Sequence, residues 1–212
     1  MATSSRVVCW RNRDEWLQIY KYLYSFEEPE LQKKGVYRIE AWKSRSGGKL
    51  PIAVECTGHL VSAYLADAAA HSDPSETRLI LSMALVRFVN GMADLSQKGL
   101  FARSVQSIAE EIGLPDWLVD LRHEATHASL PSLETLRAGL GVALNWLEDE
   151  YWEAQVIIHR ESEQNLIKWL NTYNKKQIEY LACKKKHKKA AKDEISKLVQ
   201  DIVTVTITNE LW

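Results

Sequence analysis

Ile112-Gly-Leu-Pro-Asp-Trp-Leu-Val-Asp-Leu-Arg-His-Glu-Ala-Thr-His127, with Leu130-Pro131 just beyond, is the run on which the reading of this chain turns. Gly113 is a helix-stop residue, Pro115 suits the first turn of a new helix, and Pro131 cannot continue one. The residues between are expected to form a helix, and each advances about 100° around it. With Arg122 at zero, Thr126 falls near about 40°, His123 near about 100° and His127 near about 140°. One side of a single turn therefore carries a guanidinium, a hydroxyl and two imidazoles. Imidazoles give and take protons near neutral pH, and an arginine fork holds a phosphate. The set predicts cleavage of a phosphodiester. Asp116 and Asp120 project near about 120° and 160° on the same wheel. Either carboxylate could orient an imidazole, although service to the N-terminal turn suits Asp116 better.

Outward from this run, almost everything reads as helix. Towards the N-terminus, Ser104 caps a short helix that stops at Gly113. Glu76 to Asp94 is the most apolar segment, with Leu79, Ile80, Met83, Leu85, Val86, Phe88 and Val89, and is expected to be the most buried. His71–Ser75, containing Pro74, reads as a turn. Leu50-Pro51 leads a helix with Val54, Leu60, Val61, Tyr64 and Leu65, after a Ser44–Gly48 loop. Pro29 opens a segment from Glu30 to about Trp42. Asn12 with Glu15 resembles a capping box ahead of Trp16, Leu17, Ile19, Tyr20 and Leu23. Towards the C-terminus, Ser132 caps a helix from Leu133 to about Ile158, and a polar helical tract runs to about Asp201. Ile202–Ile207 alternates Ile, Val and Thr as a strand does, with no partner strand in view. The fold class is all-α, a helical bundle. A change of character near His159 divides residues 1–160 from a polar and basic helical extension, 161–212.

The 212 residues carry a net charge of −1, so no global field draws in nucleic acid or an anionic membrane. Affinity for RNA has to come from local patches. Three cysteines, Cys9, Cys56 and Cys183, lie far apart without metal-ligand spacing, which fits a reduced intracellular protein and no cysteine-based zinc site. The opening MATSSRVVCW has no signal-peptide apolar core. No apolar run is long enough to cross a bilayer. The eight tryptophans are spread along the chain rather than gathered in belts.

Other motifs compete for attention. His123-Glu124-Ala125-Thr126-His127 also spells HExxH, the helix of zinc proteases, with Glu124 as base and Glu148 or Glu150 as third ligand. Against it, no edge strand precedes the helix to bind a peptide, and the helix ends close behind His127. Gly139-Leu140-Gly141 looks like a dinucleotide loop but follows no strand. Close helix packing explains it better, and the helix-propensity cost of the second glycine, roughly 1 kcal/mol, calls for such a reason. Lys184-Lys185-Lys186-His187-Lys188-Lys189 with Lys192 is the one basic run, read first as a solvated face and second as an RNA contact or nuclear import signal. Lys43, Arg45 and Lys49 surround Gly47-Gly48, where a solvated turn competes with phosphate contact. A non-catalytic helical scaffold, with the motif packed inside the protein, is a third reading.

The run 112–127 with Leu130-Pro-Ser-Leu133 resembles the signature of the Las-one family of pre-ribosomal-RNA endonucleases. Leu85-Val-Arg-Phe-Val-Asn90, Trp42-Lys-Ser-Arg-Ser46, Leu50-Pro-Ile-Ala-Val54, Asn145-Trp-Leu147 and Tyr151-Trp152 carry the resemblance across residues 5 to 155. The resemblance implies membership of the HEPN superfamily of helical-bundle ribonucleases, with Arg122, His123 and His127 as the catalytic set; the chemistry of attack by the RNA's own 2′-hydroxyl calls for no cofactor or metal. It implies a homodimer in which two such motifs make one composite site. It further implies a nuclear or nucleolar role in cutting the second internal transcribed spacer, beside a polynucleotide kinase partner that phosphorylates the new 5′ end. Family members carry a C-terminal tail that engages the kinase; no stretch here is identified with it.

RNA supplies its own nucleophile, the 2′-hydroxyl. The protein need only take that proton, steady the phosphorane and protonate the leaving 5′ oxygen. Arg122 suits the added negative charge, and either histidine suits base or acid. The expected products are a 2′,3′-cyclic phosphate and a 5′-hydroxyl. His127 is the stronger choice for essential catalysis, while His123 could position the phosphate.

Overall fold

A computed structural model describes residues 8–69, 73–96, 103–182 and 188–209. All regular structure among them is helical, and no described helix is long and apolar enough to cross a membrane. The chain forms two compact units, Met1–Trp152 and Glu153–Trp212.

Local sequence sets most helix ends in the first unit. Asn12 Oδ1 accepts the Glu15 amide at 3.0 Å and starts α1, Arg13–Leu23. The Glu15 carboxylate reaches back one residue further than a capping box would, accepting the Arg11 amide at 2.7 Å. Pro29 begins α2, which continues past the expected loop to Ser46 and stops at Gly47, φ 58°. That left-handed residue favours glycine and ends the helix. Pro51 precedes α3, Ile52–Asp67, and α4 runs from Pro74 to Ser96. Part of the expected His71–Ser75 turn lies outside the described residues. Ser104 caps α5, Val105–Glu111; Pro115 stands as the N-cap of α6, Asp116–His127; Ser132 caps α7, Leu133–Leu147.

α3 and α4 are the centre of this unit. α2 packs on α3 and α1 on α2, while α6 and α7 pack on α4. Val54, Leu60, Val61, Leu81, Leu85, Phe88 and Val89 form the core between them. Two tryptophans lock the margin. Trp42 is fully buried and donates to Glu15 Oε1 at 3.1 Å. Trp152 is also fully buried, stacks on Tyr20 with ring centroids 5.3 Å apart, and donates to Thr57 Oγ1 at 3.0 Å. Both indole N–H groups thus find acceptors, as burial requires.

Three further expectations need correction. The helix from Leu133 does not run unbroken to Ile158: a π-helical turn, Glu148–Glu153, separates α7 from α8, Ala154–Ala182. The Ile202–Ile207 segment is not a strand but lies within α9, Lys188–Asn209, which packs along α8 in the second unit. β-branched alternation needs a ladder to pair with, and without one the helix simply propagates. Finally, α4 is not buried all round. Leu79, Ile80 and Met83 are exposed, Met83 by 60 %, on a face opposite the core.

Candidate active site

The turn carrying the motif is fixed from behind. Leu118, Val119 and Leu121 bury one face of α6. Gly139 of α7 lies so close that a Cβ there would sit 2.6 Å from Leu121 Cδ2. Gly139 is therefore the packing glycine of the Gly-Leu-Gly run, whereas Gly141 is exposed and would meet nothing within 4 Å. The end of α6 is pinned as well: Arg78 of α4 donates through Nε to the Pro131 carbonyl at 2.9 Å and through a terminal nitrogen to that of Leu130.

Arg122 is half-buried, and its Nε donates to Asn90 Oδ1 of α4 at 2.8 Å. This bond holds the guanidinium plane while the terminal nitrogens make no hydrogen bond with any described residue. A fork held by its inner nitrogen keeps its outer pair for an anion. His123 and His127 are exposed one turn apart, with ring centroids separated by 4.9 Å and planes inclined at 48°. Two imidazoles and a guanidinium thus share the C-terminal part of one helix, the imidazoles facing solvent. The arrangement can bind one anionic group and move protons on either side of it.

The remaining expected groups divide. The Thr126 hydroxyl turns back to the carbonyls of Arg122 and His123, both at 3.0 Å, and serves the helix rather than a ligand. Asp116 and Asp120 are exposed and form no hydrogen bond or ion pair with either imidazole. Glu148 accepts from Tyr20 Oη at 3.1 Å, and Glu150 is exposed on the π turn. Among the described residues no group of three His, Cys, Asp or Glu side chains is placed to hold a metal, so the zinc-protease geometry is not assembled. Lys184–Lys186 and His187 lie outside the described residues; Lys188 sits over the Tyr180 ring at 5.5 Å.

Sequence reasoning gave Asn90 no role. Its signal was a polar residue just after the apolar run Leu85–Val89 of α4, three residues beyond Arg87. Arg87 is exposed on the same α4 face and lies 3.4 Å from Glu55 of α3. Glu55 also takes Lys43 at 2.7 Å and has His59 at 3.8 Å. Burial works to raise the Glu55 carboxyl, but the Lys43 hydrogen bond and the surrounding cations outweigh it and hold the group below its ordinary value. Burial, with help from Arg87, holds the His59 imidazole below its own. Lys43 is thereby committed to an internal pair rather than to the Gly47-Gly48 loop.

The Las1-like family profile matches residues 8–154. Over 150 residues the chain is 41 % identical to a mouse protein named ribosomal biogenesis protein LAS1L, covering 71 % of this chain and 19 % of that protein. It is 37 % identical over 156 residues to protein LAS1 of Saccharomyces cerevisiae and 36 % identical over 152 residues to the pre-rRNA-processing protein las1 of Schizosaccharomyces pombe. Each of those two alignments covers 69 % of this chain and 31 % of the relative. The matched region spans under a third of the length of all three relatives.

Proposed function

The chain belongs to the Las1-like family, and from that premise we propose that it is an endoribonuclease of precursor ribosomal RNA, of the HEPN type, working as a homodimer. The observation that carries this reading is the Arg122 guanidinium held by Asn90 beside the His123–His127 pair. One histidine takes the 2′-hydroxyl proton, the 2′ oxygen attacks the adjacent phosphorus, and another histidine protonates the departing 5′ oxygen. The products are a 2′,3′-cyclic phosphate and a 5′-hydroxyl. Arg122 meets the charge that builds on the phosphorane. Each positioned proton transfer contributes on the order of 100- to 10,000-fold.

One turn of helix is a sparse site, and a second copy doubles its groups. α4 supplies a surface for that copy. Leu79, Ile80 and Met83 are exposed on the same helical face that carries Asn90. An isologous contact through this face brings the two motifs towards a common axis. The 5′-hydroxyl end is a kinase substrate, which fits a polynucleotide kinase as partner. The names of the relatives, ribosomal biogenesis and pre-rRNA processing, fit action on the second internal transcribed spacer in the nucleus or nucleolus.

End-group analysis tests the reading. Spacer RNA treated with the wild-type chain should carry cyclic phosphate and 5′-hydroxyl ends, with cutting retained in EDTA. His127→Ala should abolish cutting with the fold intact. A fully active His127→Ala protein, or ends of another kind, would refute the proposal.

A further inference from the structure

α1 and α2 line a groove of about 570 Å³ away from the motif, which packs on α4. Along α2 its wall is Lys34, Tyr37, Arg38, Ala41 and Arg45. These residues recur at three- and four-residue spacings, so they form one stripe about 16 Å long. Arg11 and Tyr22 belong to the opposite wall. Arg11, Lys34, Arg38 and Arg45 are all exposed, and the one acid among the lining residues is Glu15. That carboxylate is buried and occupied: it accepts the Arg11 amide and the Trp42 indole, with Arg38 at 3.4 Å. A chain of net charge −1 thus gathers four cations around one groove, three of them on the α2 stripe. In their midst Tyr37 is 72 % exposed. Most of that ring stands in water beside cations.

We propose that this groove is a binding site for single-stranded RNA, distinct from the cutting motif. Tyr37 stacks on an unpaired base, Tyr22 lies beneath a neighbouring one, and Arg11, Lys34, Arg38 and Arg45 neutralise the phosphates. The exposed Tyr37 phenol, set among cations with the half-buried Tyr22 across the groove, favours a single strand over an acidic peptide, which would use the charges and leave the exposed ring idle. A duplex hides its bases from such rings. The assignment rests on the proposed RNA substrate for the class of ligand, but binding here does not require the motif to cut.

The probe is a short fluorescent oligouridylate with 2′-O-methyl groups, which block attack by the 2′ oxygen. Anisotropy titration of the full chain at several salt concentrations should show saturable binding. Lys34→Glu/Tyr37→Ala changes two exposed residues and should weaken it by at least about tenfold, with a shallower salt dependence. Lys34→Glu alone should give part of that loss, and circular dichroism checks that both variants stay folded. His127→Ala leaves the groove residues in place and should keep saturable binding that still depends on Lys34 and Tyr37, so the groove is tested separately from the cutting reaction. Wild-type affinity and salt slope in the double variant would overturn the proposal, as would absence of saturable binding by the wild type. Tight binding of a polyglutamate peptide that depends on Lys34 and Tyr37, with RNA binding indifferent to them, would overturn it in favour of an acidic protein partner.

Discussion

Two glycines of α7 should respond to the same substitution with opposite signs. Alanine in a helix interior is favoured over glycine by about 1 kcal/mol. At Gly141 a Cβ meets nothing within 4 Å, so Gly141→Ala should stabilise by about 0.5–1 kcal/mol. At Gly139 the new methyl would stand 2.6 Å from Leu121 Cδ2, 3.3 Å from Leu85 Cδ1 and 3.5 Å from Leu118 Cδ2. Carbon atoms rest at about 3.5–4.0 Å, so Leu121 must retreat by about 1 Å. It is 4 % exposed, and Leu85 and Leu118 on either side are buried too. Overpacking of this kind costs about 1–3 kcal/mol. After the helix gain is subtracted, Gly139→Ala should destabilise by up to about 2 kcal/mol. Urea unfolding of both variants reads the difference as midpoints shifted in opposite directions. The retreat also acts on chemistry, because Leu121 precedes Arg122 in the chain. Moving that turn pulls the guanidinium from Asn90, and cutting by folded Gly139→Ala protein should fall on the order of tenfold or more. Equal stabilisation by both alanines would refute the claim that α7 sets the position of α6.

Other expectations follow from the same contacts. Asn90→Ala frees the Arg122 plane and removes a charged-group hydrogen bond of about 1.5–3 kcal/mol; cleavage kinetics should show roughly a ten- to hundredfold loss, and wild-type rates would count against a positioning role. Met83→Asp places a charge on the exposed α4 face; sedimentation should show dissociation into monomers with cutting lost in parallel, and an active monomer would contradict the composite site. Glu15 is raised by burial, yet the Arg11 amide, the Trp42 indole and Arg38 outweigh that and hold it below the ordinary carboxylate value. A group lowered on folding contributes stability above its unfolded pKa, about 4.3, and loses it as pH falls through the folded value. Glu15→Gln should therefore be less stable than wild type at neutral pH, and urea unfolding should show that gap narrowing below about pH 4.

Much of the architecture was legible because helix ends are written locally. Asn12, Ser104 and Ser132 each accept an amide three residues on, and Gly47 takes the left-handed conformation that stops α2. The features that escaped depend on neighbours far along the chain. Asn90 acquires meaning from Arg122, 32 positions away. Gly139 and Gly141 look alike as letters, and only the approach of Leu121 separates them. Thr126 lies on the motif side of its helix, yet its hydroxyl turns back to its own backbone. Ile202–Ile207 has the alternation of a strand without the ladder that would make it one.

The most informative error concerns α4. Its apolar residues encircle more of the helix than the bundle buries, and periodicity alone assigns them all to the core. The structure spends Leu81, Leu85, Phe88 and Val89 on the bundle and leaves Leu79, Ile80 and Met83 in water. Exposing three large apolar side chains along two turns works against solubility unless something covers them. They share a face with Asn90, the residue holding Arg122, so the surplus lies on the side of α4 that the candidate active site uses. A helix that is apolar on its inner side for the sake of the bundle, and on its outer side near the candidate site, has the pattern expected if the proposed second copy completes that site.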